Sequence, residues 1–483
     1  MKTQRPKQIC FFTAPTVVSF HLELGRSLKR EFPEATITFV TCYSLAAKRL
    51  KESTSEEVIY FPDRVKSCLA GAGSDFPIEE FDQRLFNETR ANINLMLMAD
   101  KNLGKMGARA EELSVAYVQA LNEIIQPECL SICRMYDCFF LWLASGITLT
   151  KGGWPFGFVS NGIPSKSTLA LKTPFEAWDV EYRRNSGGVD LAAELAAALK
   201  APPEERIHYM VDSSPKRFLP AVKENLVTMW HLLKDASTGT GVISYSASFL
   251  NVKLLLKRNR PKFAKVHFEI DSVDALNERG TPFVFFPLQY APEASIMSYS
   301  PWFREQTEAL RLAAQALPVG WHLLVKEHPM MMKLRPRSFY RKLKNIPNLR
   351  LANPKIAGIA CIEKAKATFC ITGSATFESQ LLGTPGYCLG RPPFSYLLSQ
   401  SDLASAKIDL EAFFKTISEG QYLPPYEEDL KRYVGGTLAA HGCTMSVDGV
   451  WKHDDSPENI SLFHEYITHA IQGAPPQVRG DGV

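Results

Sequence analysis

The chain of 483 residues contains no long hydrophobic run. Its longest apolar stretch, CFFLWLASGI at 138–147, is about half of what a membrane-spanning helix needs. The first residues, MKTQRPKQICFFTAP, are basic, but their apolar run is too short for a secretory signal. A surplus of charge is missing too. The 55 basic and 51 acidic side chains leave a net charge of +4, which excludes a general nucleic-acid binder and leaves room for local basic patches. The 10 cysteines are scattered and match no strong metal pattern. The closest group, Cys129, Cys133 and Cys138, reads as buried free thiols. No GxxxxGK[ST] occurs, which argues against a P-loop nucleotide site. HEYITH at 464–469 is no zinc-protease motif, because histidines five apart diverge by about 140° around a helix. No Asp-x-Asp stands at a strand end, and Asp454-Asp455 in a polar stretch reads as surface. The expectation is a soluble, cytoplasmic protein with reduced cysteines.

What is present is enough apolar residue for a large core. A hydrophobic content of 45% with 22% charged residues fits two or three globular domains. Strand and helix patterns alternate from the start. QICFFTA, ATITFVTC and EVIYFP read as strands, SFHLELGRSLKREF as an amphipathic helix, and residues 100–128 as one long helix. DLAAELAAALKAPPEE is helical until Pro202 and Pro203 stop it, and 246–265 is a further helix-like piece ending in KRNRPKFAK. A domain boundary is placed near 266–280. A second series then runs with even spacing: PFVFFPL, WHLLVK, NLRLAN, ATFCITG and GYCLG as strands, separated by helical segments. Alternation of this kind predicts an α/β fold with parallel sheets. The two halves share architecture without a sequence repeat, and the tail GAPPQVRGDGV is expected to be disordered.

Three strand ends of the second half draw attention. In an open parallel sheet, ligands bind outside the carboxyl ends of the strands. PLQYAPEAS (287–295), KEHP (326–329) and TGSATFES (372–379) all occupy such ends. Gly373 permits a sharp turn, and Ser374 and Thr376 are good helix-start residues with hydroxyls, a combination suited to a phosphate. Ordinary capping explains the same residues. His328 reads either as a turn histidine bonded to backbone or as a donor to a phosphate oxygen. The run Lys333, Arg335, Arg337, Arg341 and Lys342 after it adds positive potential or forms a solvated helix face. KLLLKRNRPKFAK (253–265), with six basic residues and no acidic one, reads equally as a solvated helix or as a segment resting on an anionic membrane surface.

KEHP, the following Tyr340, Leu343 and IPNLRL, and then ATFCITGSATFESQLLGTPGYCLG resemble the bacterial capsule polysaccharide biosynthesis proteins. That family includes the Kdo transferases of capsule assembly and is similar in plan to bacterial sialyltransferases. PLQYAPEAS and NGIPSKSTL (161–169) also resemble family segments, and the likeness is fullest over about residues 280 to 395. The resemblance implies a GT-B fold, two Rossmann-like domains facing across a cleft. It places an acceptor domain with helical insertions at 1–270, a nucleotide-donor domain at 271–440, and a terminal helix and tail at 441–483. It implies that His328, Ser374 and Thr376 contact the donor phosphate, with Pro329 shaping the turn. Lys326 and Gly373 belong to the same strand ends, Gln289 and Glu293 to the same rim, and Glu378 is a candidate for a ribose or base contact.

The implied chemistry is glycosyl transfer from a nucleotide-activated sugar, first of all CMP-linked Kdo or a related acid sugar. Fixed donors stabilise the leaving phosphate, without a metal or cofactor. The acceptor would be a saccharide or lipid-linked saccharide, reached at the inner-membrane surface, and no nucleic acid is involved. A carboxylate of the N-terminal domain would deprotonate the acceptor hydroxyl. The acidic pair followed by Gly that sialyltransferases carry is absent in clear form. Glu23, Asp137, Glu176 and Asp179 are candidate bases, each readable as a structural carboxylate, and His21 is a candidate on the acceptor side. Three other functions fit the same residues: transfer of a polyol phosphate from a CDP-activated donor, a non-catalytic nucleotide-binding role, and sugar-nucleotide epimerisation.

Overall fold

The computed structural model describes residues 5–71, 76–100, 102–161, 167–178, 197, 199, 230–241 except 232, 268–291 except 279, 294–328 except 301 and 304, 331, 335–392, 399–400, 406–421, 437–438, 443–445 and 451–473. The chain divides into two compact units. The first holds the amino-terminal part together with residues 207–251 and 435–483, the second residues 185–206 and 252–434. Both are α/β units of Rossmann type, as the sequence periodicity predicts.

In the first unit the strands are β1 (Gln8–Phe12), β2 (Thr36–Thr41), β3 (Glu57–Tyr60), β4 (Cys129–Cys133) and β5 (Trp154–Asn161). All neighbouring pairs among them are parallel, in the spatial order 3-2-1-4-5. Antiparallel β6 (Ser167–Thr173) extends the sheet beyond β5 and carries the short β7 (Glu176–Ala177). Every residue of β1 and β4 is buried, as expected for central strands covered on both faces. The connecting helices are α1 (Val18–Glu31), α2 (Ser44–Ser53), α3 (Phe61–Ala70), α4 (Ile78–Thr89), α5 (Ile93–Ala99), α6 (Ala108–Ile124) and α7 (Phe139–Thr150). The long helix expected over 100–128 is shorter, because Gly107 takes a positive φ of 56° and the Asp100 carboxylate accepts the Asn102 and Leu103 N–H groups ahead of α6. The apolar stretch at 138–147 is the buried α7. Among the described residues no helix is long and apolar enough to cross a membrane.

The second unit is built on β8 (Phe283–Pro287), β9 (His322–Lys326), β10 (Leu349–Ala352), β11 (Ala367–Cys370), β12 (Gly386–Cys388) and β13 (Ser399–Gln400). They are parallel throughout in the order β10-β9-β8-β11-β12-β13. Counted from β8, that is 3-2-1-4-5-6, the Rossmann order. The period-2 pattern of FVFFP divides its side chains between two cores. Val284 and Phe286 pack with Ala309, Leu310, Val325 and Phe369 on one face. Phe283 and Phe285 pack with Leu324, Cys361 and Ile362 on the other. The helices are α8 (Asp274–Glu278), α9 (Ala294–Tyr299), α10 (Gln306–Ala316), α11 (Arg337–Leu343), α12 (Gly358–Lys364), α13 (Ala375–Leu381) and α14 (Ala406–Ser418).

The last helix, α15 (Pro457–Gly473), returns to the first unit and packs on α1. The Phe463 ring lies edge-on to Phe20 and Phe158, and Ser27 Oγ is 2.9 Å from His464 Nδ1. His469 is exposed on the same helix, so the two histidines do diverge. Asp454 accepts the Ser456 N–H ahead of α15. Cys129 and Cys133 are buried and free, as read from the sequence, with Cys138 half-buried. The tail at 474–483, the segment 190–205 apart from Ala197 and Leu199, and the segment 246–265 with its basic run 253–265 lie outside the described residues.

Candidate functional site

In each sheet the strand order reverses beside the first strand, and ligands of such sheets bind outside the carboxyl ends at that point. In the second unit the reversal falls between β8 and β11. The three expected segments meet there: Gln289 follows β8, Glu327 and His328 follow β9, and Thr372 to Ser374 follow β11.

Gln289 is 7% exposed and ties two strand ends together. Its Nε2 donates to Thr372 Oγ1 at 2.9 Å, and Thr372 N donates to its Oε1 at 3.0 Å. Its backbone exchanges bonds of 2.9 and 3.0 Å with the Gln306 side chain at the start of α10. Gln289 therefore forms the floor of the rim. Lys326 is half-buried as the last residue of β9, and burial pulls its ammonium pKa down. His328 keeps part of its surface open beside the Tyr290 ring, 6.0 Å between centroids. Burial lowers its pKa below 6.5, and Lys326 and Arg335 push the same way against Glu327. The imidazole is neutral at pH 7 and offers a ring N–H to an oxygen.

Beyond β11 the turn is tight. A Cβ on Gly373 would lie 3.2 Å from Cys370 Sγ, which also accepts the Gly373 N–H at 3.0 Å. Ser374 is exposed and does not cap the helix; its hydroxyl donates to Glu378 Oε1 at 2.9 Å. Glu378 thus orients Ser374, one turn on in α13. Thr376 departs from its expected role. It is fully buried, and its hydroxyl donates to Gly373 O at 2.9 Å, which leaves a structural part at the base of the turn. Glu293 and Pro329 lie outside the described residues.

In the first unit the reversal falls between β1 and β4. Asp137 sits in the loop between β4 and α7, half-buried. Burial raises its carboxyl from 3.8 to about 6, opposed by Arg134 and pushed further by Asp100. A carboxylate at a sheet's switch point with a pKa near working pH is the pattern of a general base. The other candidates do not share it. His21 lies in the first turn of α1 but is 1% exposed, between the rings of Phe11 and Phe20, with Nδ1 2.9 Å from Thr13 Oγ1. Burial drives its pKa down to about 3, so it is a neutral core histidine closed off from an acceptor. Glu23 is an exposed partner of Arg26 on α1. Glu176 pairs with Lys172 on the β6–β7 hairpin, level with Thr173 and so displaced from the carboxyl edge. Asp179 lies outside the described residues. Among the described residues no group of His, Cys, Asp and Glu is arranged to hold a metal ion.

Sequence reasoning missed three residues. Arg335 reads there as part of a basic face, whereas its side chain is 4% exposed and paired with Glu327. Glu327 is 2% exposed. The signal was the period of β9, which turns Glu327 inward after Val325. Asp100 was missed as well; its Oδ2 accepts the Phe139 N–H and so fixes the start of α7 beside Asp137.

No family model matches the chain, and no curated protein matches it. Several solved structures align at low similarity. Thermosulfurimonas dismutans KpsC, beta Kdo 2,7 transferase, is 11% identical, over 95% of this chain and 98% of that one, with a TM-score of 0.32. Anabaena Alr3699/HepE in complex with UDP-glucose is 9% identical, over 89% and 94%, with a TM-score of 0.28. The UDP-GlcNAc 2-epimerase from Methanocaldococcus jannaschii is 11% identical, over 88% and 98%, with a TM-score of 0.22. Similarity at this level carries no weight for this chain's activity, and its fold is defined by its own strand order.

Proposed function

We propose that the protein is a GT-B glycosyltransferase that uses a nucleotide-activated sugar in the assembly of a surface polysaccharide, with CMP-linked Kdo or a related acid sugar as the first candidate donor. The observation that supports this is the placement of His328 after β9 and of the Ser374–Glu378 pair after β11, on either side of the β8 loop at the carboxyl edge of the second sheet, with Gln289 and Thr372 locking that loop to the β11 turn. In this reading His328 donates its ring N–H to a donor phosphate oxygen, and the Ser374 hydroxyl turns from Glu378 to donate to a second one. Negative charge grows on that phosphate as the bond from the anomeric carbon breaks, and fixed donors stabilise it. Asp137 takes the proton of the acceptor hydroxyl, whose oxygen forms the new bond to the anomeric carbon. With a pKa of about 6 it is ionised at pH 7 and still basic enough to serve. The acceptor is a saccharide or lipid-linked saccharide, and the reaction needs no metal or cofactor beyond the donor.

The test is calorimetric binding of CMP, CDP, UDP and GDP, with His328→Ala as control. Binding of a cytidine nucleotide that weakens at least tenfold in His328→Ala supports the reading. A preference for UDP redirects it to a hexose donor or an epimerase. Absence of binding by all four overturns it and leaves a non-catalytic role.

A further inference from the structure

Behind His328 lies a buried ion pair that the proposed chemistry does not touch. Glu327 and Arg335 have side chains 1% and 4% exposed. Every acceptor direction of the Glu327 carboxylate is filled. Oε1 accepts the His328 N–H at 2.7 Å and Arg335 Nη2 at 3.1 Å. Oε2 accepts Arg335 Nε and the Tyr340 hydroxyl, both at 2.6 Å. The same Arg335 Nη2 also donates to Gln289 O at 2.8 Å, and the guanidinium lies 4.4 Å from the centre of the Phe339 ring. One side chain therefore spans the loop after β8 and the loop after β9.

A buried ion pair is a poor source of net stability, because desolvating two charges offsets most of their attraction. What this one supplies is geometry. Guanidinium and carboxylate meet in a planar fork with one mutual orientation, and the His328 backbone hangs from that carboxylate. We propose that Arg335 is a positioning residue for the nucleotide site: by clamping Glu327 to Gln289 O it holds His328 where a donor phosphate binds. The proposal rests on the functional reading above for the identity of the ligand. The clamp acts through His328 and touches no ligand itself.

Two variants test it. Arg335→Lys keeps the charge and loses the fork. Glu327→Met with Arg335→Met removes both charges; apolar replacement of a buried pair is often neutral in stability, which gives a second variant where the lysine is not tolerated. Each folded variant is examined by NMR titration of the His328 imidazole, assigned by its loss in His328→Ala, and by calorimetry with CMP. In the wild type burial holds the His328 midpoint below 6.5. The groups around it are Glu327, Lys326, Arg335 and the Tyr290 ring. In Arg335→Lys the charge is unchanged, so a midpoint that climbs back toward 6.5 reports release of the ring to water. In the double variant the lost Glu327 charge acts on His328 more strongly than the lost Arg335 charge and pulls the midpoint down, so CMP affinity is the readout there. The expected result is a raised midpoint in Arg335→Lys and at least tenfold weaker CMP binding in each folded variant. An unmoved midpoint in Arg335→Lys, or CMP affinity within twofold of wild type, overturns the proposal. Should the wild type bind no nucleotide, the functional reading fails separately, and the midpoint alone decides whether Arg335 holds His328.

Discussion

Gln289 and Thr372, 83 residues apart, exchange two hydrogen bonds across the switch point of the second sheet. The carboxamide donates to the threonine hydroxyl through its nitrogen and accepts the threonine N–H on its oxygen. Gln289→Ala leaves both Thr372 groups without these partners in a buried place. The expected loss is about 2 kcal/mol, since an unsatisfied buried polar group costs roughly 1–3. Urea denaturation measures it. A loss below about 0.5 kcal/mol would mean that water or another side chain replaces the amide, and the floor would not depend on Gln289.

Burial of Asp137 carries a cost in stability at neutral pH. Its folded pKa, raised from 3.8 to about 6, means the folded protein binds this proton more tightly than the unfolded chain. Its contribution is neutral at low pH and grows unfavourable as pH climbs from about 4 to about 6, reaching about 3 kcal/mol at most. Asp137→Asn is therefore expected to raise the melting temperature at pH 7.5 and leave it unchanged near pH 4. On the proposed function, the same change should lower turnover by two orders of magnitude or more, in the range of a lost general base. A variant that melts lower at pH 7.5 would show that the carboxylate is a structural partner and not a strained base.

The fold was legible because its signals are local. Runs such as QICFF and FVFFP are apolar on both faces, which only a doubly covered sheet accommodates. The three loops at the carboxyl edge of the second sheet were legible because each directly follows such a strand. What stayed hidden depends on long-range pairing. Arg335 stands among Lys333 and Arg337 and reads as solvated; only the fold brings it to Glu327. Thr376 has the chemistry of a phosphate ligand, but its helical position turns the hydroxyl inward to Gly373 O. His21 follows a strand end just as His328 does, but it is buried between Phe11 and Phe20, whereas His328 keeps part of its surface open.

That burial makes His21 an acid-sensitive point. Its folded pKa is lowered from 6.5 to about 3, so between those values the unfolded chain binds the proton and the folded one does not. Its neutral form is fully compatible with the fold above pH 6.5, and stability is lost as pH falls below that value, by up to about 1.4 kcal/mol per pH unit. His21→Gln keeps a hydrogen-bonding side chain near Thr13 and removes the titration. Denaturation midpoints from pH 7 to 4 should fall less steeply in the variant. Parallel slopes would show that His21 reaches solvent in the folded protein.

The returning helix α15 gives the last prediction. Phe463 is fully buried, with ring centres 5.0 Å from Phe20 and 4.7 Å from Phe158. Truncating a buried phenylalanine to alanine costs about 3–5 kcal/mol, from lost transfer energy and the cavity left behind. Because Phe20 lies on α1 and Phe158 on β5, the loss belongs to the first unit. Hydrogen exchange by mass spectrometry locates it: in Phe463→Ala, amides of α1 and α15 should exchange faster, while those of β8, β9 and β11 keep their rates. The Ser27–His464 bond is the weaker part of the same contact, and Ser27→Ala should cost about 1 kcal/mol. Acceleration spread evenly over both units would show that α15 secures the whole chain. Unchanged exchange in α1 would show that the helix is not docked there in solution.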